Sequence, residues 1–316
     1  MKVNRRHFLR NAGFAVATPL VLQQLVACSS GGSSTETVAK TIGDFGIQLW
    51  TVKEEMAKDA KGTLKALADY GFKQIESFQG ANGIFWGMTP ADFKSYTTDL
   101  GLSIVSSHVN PEFALKPELL DEFKKLVEDA KSVGITHLLN PYLGFLTKLD
   151  EFKKATEQFN VLGAICADAG MRYGYHNHHY SFTEMEGAFP QDIMMQGSDA
   201  DKVDFEMDIY WVHAAKQDPI AWLNKYKERF KLVHIKDMYA AEKITEIQKN
   251  EPVNPAFPIN ASCLIGQGTI PFADILKVAK NNGVQRFIVE QERFDGTTPL
   301  ESAKANATYL KSFTLA

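Results

Sequence analysis

Eight short runs of β-branched and apolar residues recur along this chain, separated by stretches that read as amphipathic helices. The runs are FGIQLWTV (45–52), KQIESF (73–78), SIVSSHV (103–109), HLLNPY (137–142), MRYGYHNH (171–178), VDFEMDIY (203–210), KLVHIKD (231–237) and RFIVEQE (286–292). The clearest helical segments lie between them, at 57–70, 90–100, 116–133, 149–169, 218–229 and 271–282. Glycine follows several of these helices where a left-handed cap is expected, as at Gly71, Gly101, Gly134, Gly170 and Gly283. Eight strand–helix units over roughly 280 residues are the count and size of a single (β/α)8 TIM barrel, an α/β fold. A doubly wound sheet would carry a glycine fingerprint after its first strand, and that position reads TVKEEM. No Gly/Pro/Ser linker divides the chain after residue 38, so 38–316 is expected to be one barrel domain. The long connections 79–89 and 239–265 are expected over the barrel mouth, the second as a lid.

The first residues have a different character. Arg5-Arg6 followed by His7-Phe8-Leu9-Arg10 resembles a twin-arginine export signal, and the apolar stretch after it, broken by Pro19, Gln23 and Gln24, is too short to span a bilayer. Leu25-Val26-Ala27-Cys28 resembles a lipobox, in which the cysteine thiol is lipidated. Residues 1–27 are therefore expected to be a signal peptide and 28–37 a Ser/Gly-rich tether. The expected product is an exported lipoprotein, held by Cys28 to a membrane through its N-terminal lipid alone and facing the periplasm or cell surface. Residues 1–27 hold four basic residues and no acid, so their loss moves the formal charge from -4 to -8. That balance argues against nucleic acid, which needs a basic face. Cys166 and Cys263 sit in apolar surroundings with no CxxC spacing, which argues against a disulfide framework.

Barrel active sites form at the C-terminal strand ends, and polar residues collect there: Trp50, Glu76, His108, His176 with His178, Asp208, His234 with Lys236, and Glu290 with Glu292. Strand side chains alternate, so His176 and His178 share a face, as do Glu206 and Asp208, and His234 and Lys236. Imidazoles and carboxylates converging in a barrel mouth suit one divalent metal ion, and a mixed nitrogen–oxygen set accepts Mn, Co, Zn, Fe or Mg. Without a cation or hydrogen-bonded partners such burial is costly. Trp50, Phe85, Trp86 and Trp211 are candidate platforms for a sugar ring.

The segments YHNHHYSF, MDIYWVHAAKQDP, KLVHIKDM, GQGTIPF and FIVEQERF, in this order, resemble the sugar phosphate isomerase/epimerase-like proteins. These are xylose-isomerase-like barrels that include ketose epimerases, inosose dehydratases and endonuclease IV-type enzymes, and the resemblance covers about residues 42–314. It implies one divalent metal ligated from strands five to eight, with Asp208, His234 and Glu290 as ligands. At the strand-five position ketose epimerases have a glutamate. Here His176 takes that place, with His178 the next candidate, and this resembles the inosose-dehydratase side of the family. Trp211 stands where epimerases often carry a substrate-touching histidine.

The function expected from these residues is metal-dependent chemistry through an enediolate on an unphosphorylated sugar, a keto-sugar or keto-glycoside, or a polyol. Isomerisation, epimerisation and β-elimination all remain open, with elimination favoured by the imidazole at strand five. Glu290, His178 and Lys236 are the expected catalytic groups, and Trp50, Glu76, His108 and Trp211 the expected substrate contacts. The alternative is a lipid-anchored, sugar-binding barrel without turnover.

Overall fold

The computed structural model describes residues 41–251 and 260–315. The expected signal peptide, the tether with Cys28, and 252–259 of the expected lid lie outside the described residues. Seven barrel strands come first: β1 (Gly46–Gln48), β2 (Gln74–Phe78), β3 (Ser103–His108), β4 (His137–Asn140), β5 (Arg172–His176), β6 (Val203–Asp208) and β7 (Phe230–Ile235). A two-residue antiparallel pair follows, β8 (Asp237–Met238) with β9 (Ser262–Cys263), and β10 (Arg286–Val289) is the eighth barrel strand. All eight barrel strands pair in parallel and close in the order β1-β10-β7-β6-β5-β4-β3-β2. Gly46 joins the two ends, registered with Gln74 on one side and Ile288 on the other. This is the expected (β/α)8 barrel. No helix among the described residues is long and apolar enough to cross a membrane.

Local chemistry sets the boundaries. Asp59 caps the helix Ala60–Tyr70 by accepting from Gly62 N at 2.9 Å, and Thr89 caps Pro90–Asp99 by accepting from Asp92 N at 3.1 Å. Gly71 and Gly134 end their helices at φ +102° and +97°, a region costly for any side chain. Two runs are shorter than their apolar pattern. Gln48 Oε1 accepts from Trp50 N at 3.1 Å, turning Leu49–Val52 into a 3-10 helix, and Asp208 caps the helix Ile209–Ala214 through Trp211 N at 3.2 Å. Trp50, Ile209 and Tyr210 thus sit on helical turns rather than strands, and Trp211 follows in the second of these turns.

The two strand faces have opposite chemistry. Outward, Tyr173, Tyr175, Phe205, Met207, Val233 and Ile235 are fully buried against the helices, with Phe159 5.5 Å from Tyr173 and 5.7 Å from Tyr175. Each such side chain contributes about 1.5–3 kcal/mol by leaving water, so this annulus holds the fold together. The inward face is polar instead: Gln48, Glu76, Ser106, His137, Asp204, Glu206 and His234 are all buried. At the N-terminal end Arg172 clamps Asp204 through Nε and Nη2, at 2.8 and 2.7 Å, while His137 Nε2 lies 3.2 Å from the same carboxyl. Burial pushes Asp204 up, but Arg172 and His137 outweigh it and hold the carboxyl below its ordinary pKa. That end is a closed ionic plug.

Gly174 shows how tightly the interior is filled. A Cβ there would stand 2.6 Å from Leu139 Cδ2 and 3.0 Å from the Asp204 carbonyl oxygen. Gly174→Ala is expected to destabilise the domain by about 1–3 kcal/mol, read as a lower midpoint in urea unfolding; an unchanged midpoint would contradict this packing.

Candidate active site and metal centre

At the C-terminal ends of the strands lies a cavity of about 320 Å³. It is lined by the polar residues His108, His176, His178, Glu290, Glu292 and Gln79 and by Trp50, Phe78, Val109, Pro111, Pro141 and Tyr142. The functional side chains arrive from the ends of four strands. His176 closes β5, Asp208 closes β6, His234 sits in β7, and Lys236 and Glu290 are the first residues after β7 and β10. Asn177 ties two of these ends together, donating from Nδ2 to Asp208 O at 3.2 Å and accepting from Asp208 N at 3.1 Å.

Two carboxylates, Glu76 and Glu206, lie beneath this lining with no solvent exposure. Glu76 accepts from Gln48 Nε2 at 2.8 Å, from Ser106 Oγ at 2.5 Å and from His234 Nε2 at 2.7 Å. Glu206 Oε2 stands 3.0 Å from His108 Nε2, 2.9 Å from His176 Nδ1 and 3.2 Å from His234 Nε2. Burial pushes both carboxyls up, yet the imidazoles prevail and hold both below the usual range, Glu206 well below. The reciprocal effect falls on the histidines. His108 is raised to about 9 because Glu76 and Glu206 overcome its burial, and His234 is raised well above its ordinary value by Glu206, Glu290 and Glu76. His176 goes the other way, to about 4: burial dominates, and the neighbouring imidazoles add to it.

Above these anions a second set converges. One donor atom each from His176, Asp208, His234 and Glu290 lies within 4.8 Å of all the others, and all four residues are buried. His234 Nδ1 is 3.3 Å from Glu290 Oε2, and His176 Nε2 is 3.9 Å from Asp208 Oδ2. Asp208 Oδ1 is committed to its helix cap, but Oδ2 is buried with no hydrogen-bond partner among the described residues. Burial pushes the Asp208 pKa up to about 7. Lys236 Nζ, 3.9 Å from Asp208 Oδ2, offsets part of this charge without hydrogen-bonding it, so the oxygen remains free to ligate together with the imidazole nitrogens and Glu290. This donor set therefore fits a divalent metal ion.

Lys236 is the fixed cation beside that set. It is fully buried, ion-paired with Glu292, 3.3 Å from Glu290 Oε2 and 3.9 Å from Asp208 Oδ2. Burial disfavours the ammonium, but Glu292, Glu290 and Asp208 outweigh it and raise the pKa above its ordinary value. Its Nζ also lies 5.0 Å from the centre of the Trp211 ring. His178 stacks between Trp211 and Tyr180, at 5.2 and 5.9 Å, with Nδ1 buried and unpartnered among the described residues. Burial holds His178 well below its ordinary pKa, so it is a neutral imidazole on the cavity wall.

The residues singled out in the sequence thus separate by depth. His176, Asp208, His234 and Glu290 come together as the donor set; Trp50, His108 and His178 line the cavity. Trp50 is 39% exposed and fixed by Nε1 donating to Glu292 Oε1 at 3.1 Å. Glu76 lies under the lining among the imidazoles, and Trp211 backs His178 and Lys236. Phe85 and Trp86 are partly buried against the core, Trp86 donating to Ser77 Oγ at 3.2 Å. The sequence places Glu206 on the face of Asp208 but gives it no role, and it does not mark Tyr142 or Phe78, which follow no polar pattern.

Comparison with known proteins agrees with this architecture. The sequence profile described as xylose isomerase-like TIM barrel matches residues 64–313. An inosose dehydratase of Clostridium beijerinckii is 29% identical over 169 residues, which are 52% of this chain and 55% of that protein. The chain spans about half the length of the curated relatives it matches. A solved sugar phosphate isomerase/epimerase from Parabacteroides distasonis is 28% identical with a TM-score of 0.70, covering 88% of this chain and 96% of that one. The IOLI protein, solved with a bound zinc atom, shares the fold at 17% identity and a TM-score of 0.65, covering 84% and 96%. With four fifths of its length matched by the profile and a closed eight-stranded barrel to carry it, the chain belongs to the xylose isomerase-like TIM barrel family.

Proposed function

We propose that this chain is a divalent-metal-dependent enzyme that removes a proton next to a carbonyl of a sugar or polyol, leading to isomerisation, epimerisation or β-elimination. The observation that carries this is the buried convergence of His176, Asp208, His234 and Glu290, two of which line the cavity, around an Asp208 Oδ2 that has no hydrogen bond. The names of the relatives, inosose dehydratase and sugar phosphate isomerase/epimerase, support a sugar-type substrate. A divalent cation held by the four residues supplies Lewis-acid polarisation of a carbonyl and its neighbouring hydroxyl.

The chain's own groups supply the proton transfers. His178 is a neutral imidazole lining the cavity and is the candidate to accept the proton from the substrate carbon. Glu290 is the weaker candidate base, because Lys236 and His234 hold its carboxylate at 3.3 Å each. Lys236 fixes Glu290 and Glu292 and, through Glu292, the Trp50 indole. His108 turns Nε2 to Glu206 and Glu76, so its imidazolium carries the second proton on Nδ1, available to a leaving oxygen. In a β-elimination, His178 takes the carbon-bound proton, the C–O bond breaks, and His108 protonates the departing oxygen. In an epimerisation or isomerisation, a proton returns to carbon instead.

Among the described residues lining the cavity there is no arginine or lysine, which supports an unphosphorylated sugar, keto-glycoside or polyol. The proposal includes export and tethering through Cys28, on the residues of 1–37 alone, a location where unphosphorylated sugars are the substrates at hand.

Three measurements test this reading. Purified protein is expected to hold one divalent ion per chain, and Asp208→Asn to weaken metal binding by on the order of 100-fold, if four ligands share ~10–16 kcal/mol. Metal-free wild type whose sugar binding ignores chelator would make the chain a binding barrel without turnover. In D₂O, solvent deuterium is expected in the product or recovered substrate when free sugars, inososes and 3-keto-glycosides are supplied; loss of water or aglycone identifies elimination. Elimination is expected to slow as pH rises through about 9, because His108 is protonated below that value, and His108→Asn is expected to remove this limb and lower kcat by about 10²-fold.

A further inference from the structure

Three imidazole nitrogens surround a single oxygen: His108 Nε2, His176 Nδ1 and His234 Nε2 lie 3.0, 2.9 and 3.2 Å from Glu206 Oε2. An ionised carboxylate can only accept hydrogen bonds, so each nitrogen facing it carries a proton. A nitrogen that ligates a metal must be bare. His176, protonated on Nδ1, therefore offers Nε2, the nitrogen 3.9 Å from Asp208 Oδ2. His234, held by Nε2, offers Nδ1 once a cation displaces the proton it donates to Glu290 Oε2, 3.3 Å away. Glu206 alone sets the His176 tautomer, whereas His234 Nε2 is shared with Glu76 Oε1, nearer at 2.7 Å, and both rings turn their other nitrogens toward the Asp208–Glu290 carboxylate pair.

We propose that Glu206 is a positioning residue of the metal centre: by accepting from His176 Nδ1 it fixes that ring as a ligand through Nε2, together with Glu76 it holds His234 by Nε2 so that Nδ1 faces the metal, and by accepting from His108 it registers the cavity-lining imidazole to the same point. This inference rests on the metal-dependent reading above. His108, His176, Glu206 and His234 also lie close enough to hold an ion of their own. That use conflicts with the first, because two ions would need both nitrogens of His176 and of His234 bare, that is, two imidazolates in one buried cluster. The unpartnered Glu206 Oε1 fits the same role. A buried anion with half its acceptors unused is costly to keep, and a neutral amide would not accept three N–H donors on one oxygen with the same strength.

Wild type and Glu206→Gln are compared with Zn²⁺ and Co²⁺ as probes. Glu206→Gln is expected to bind Zn²⁺ about 10–100-fold more weakly in chelator competition, in the range seen when an outer partner of a ligating histidine is lost, with an altered Co²⁺ absorption spectrum and an unchanged metal-free fold. In Zn²⁺-loaded wild type, ¹⁵N-histidine spectra are expected to show His176 protonated on Nδ1 and His234 on Nε2, a readout that stands if the variant fails to fold. The same tautomer on both rings, two ions per chain, or an affinity within twofold of wild type in Glu206→Gln overturns the role of Glu206 while the metal-dependent reading survives. No metal bound by wild type overturns both.

Discussion

Everything at the mouth of this barrel depends on two carboxylates buried at its centre. Glu76 and Glu206 are removed from water and hold each other's charge at a cost. A pair of buried like charges persists only with donors on every side, and the interior supplies Gln48, Ser106, His108, His176 and His234. The imidazoles are thus recruited first as counter-groups, and their placement beside the cavity follows. A barrel filled with branched apolar side chains, the usual solution for this architecture, would give His176 and His234 nothing to lean on.

The strength of the outer core lets the interior be this polar. Aromatic and aliphatic side chains of β5, β6, β7 and β10 pack outward on the helices, and that annulus is continuous. Stability and chemistry are therefore carried by opposite faces of the same strands. Alternate positions such as Tyr173 and Gly174, or Met207 and Asp208, have unrelated duties although they are neighbours in sequence. Gly174 is the point where the two duties meet: a side chain there would press on Leu139 and on the backbone that leads to Glu206.

This division explains what could be read in the chain beforehand. The eight strands, the barrel and the donor set were legible because period-two alternation separates the faces, and because His176, Asp208, His234 and Glu290 all stand at strand ends. Depth was not legible. Glu76 and His108 look equivalent in sequence, yet a register shift after Ile75 in the β2–β3 pair accompanies a Glu76 beneath the lining and a His108 at the cavity. Glu206 has no role legible in sequence because alternation marks its face without saying that three rings from three other strands meet there. Trp50, Ile209 and Tyr210 read as strand residues because their apolar neighbours continue the β pattern; the caps made by Gln48 and Asp208 depend on side-chain geometry, which composition does not record.

Charge counting then shows why an imidazole suits the strand-five position. Glu76, Glu206, Asp208, Glu290 and Glu292 lie in one buried or half-buried cluster, faced by His108, His234 and Lys236 as the cationic groups. With all five acids ionised the cluster is two charges short, and Asp208, which burial pushes up to about 7 against the pull of Lys236 and His234, is the acid most readily protonated. Exchanging the His234 Nδ1 proton for a divalent cation adds one positive charge and supplies Asp208 Oδ2 with the direct partner it lacks. A carboxylate in place of His176 would cancel that gain and would stand against Glu206, at a distance where His176 Nδ1 now donates at 2.9 Å. A neutral ring at residue 176 is the choice that Glu206 beneath it requires.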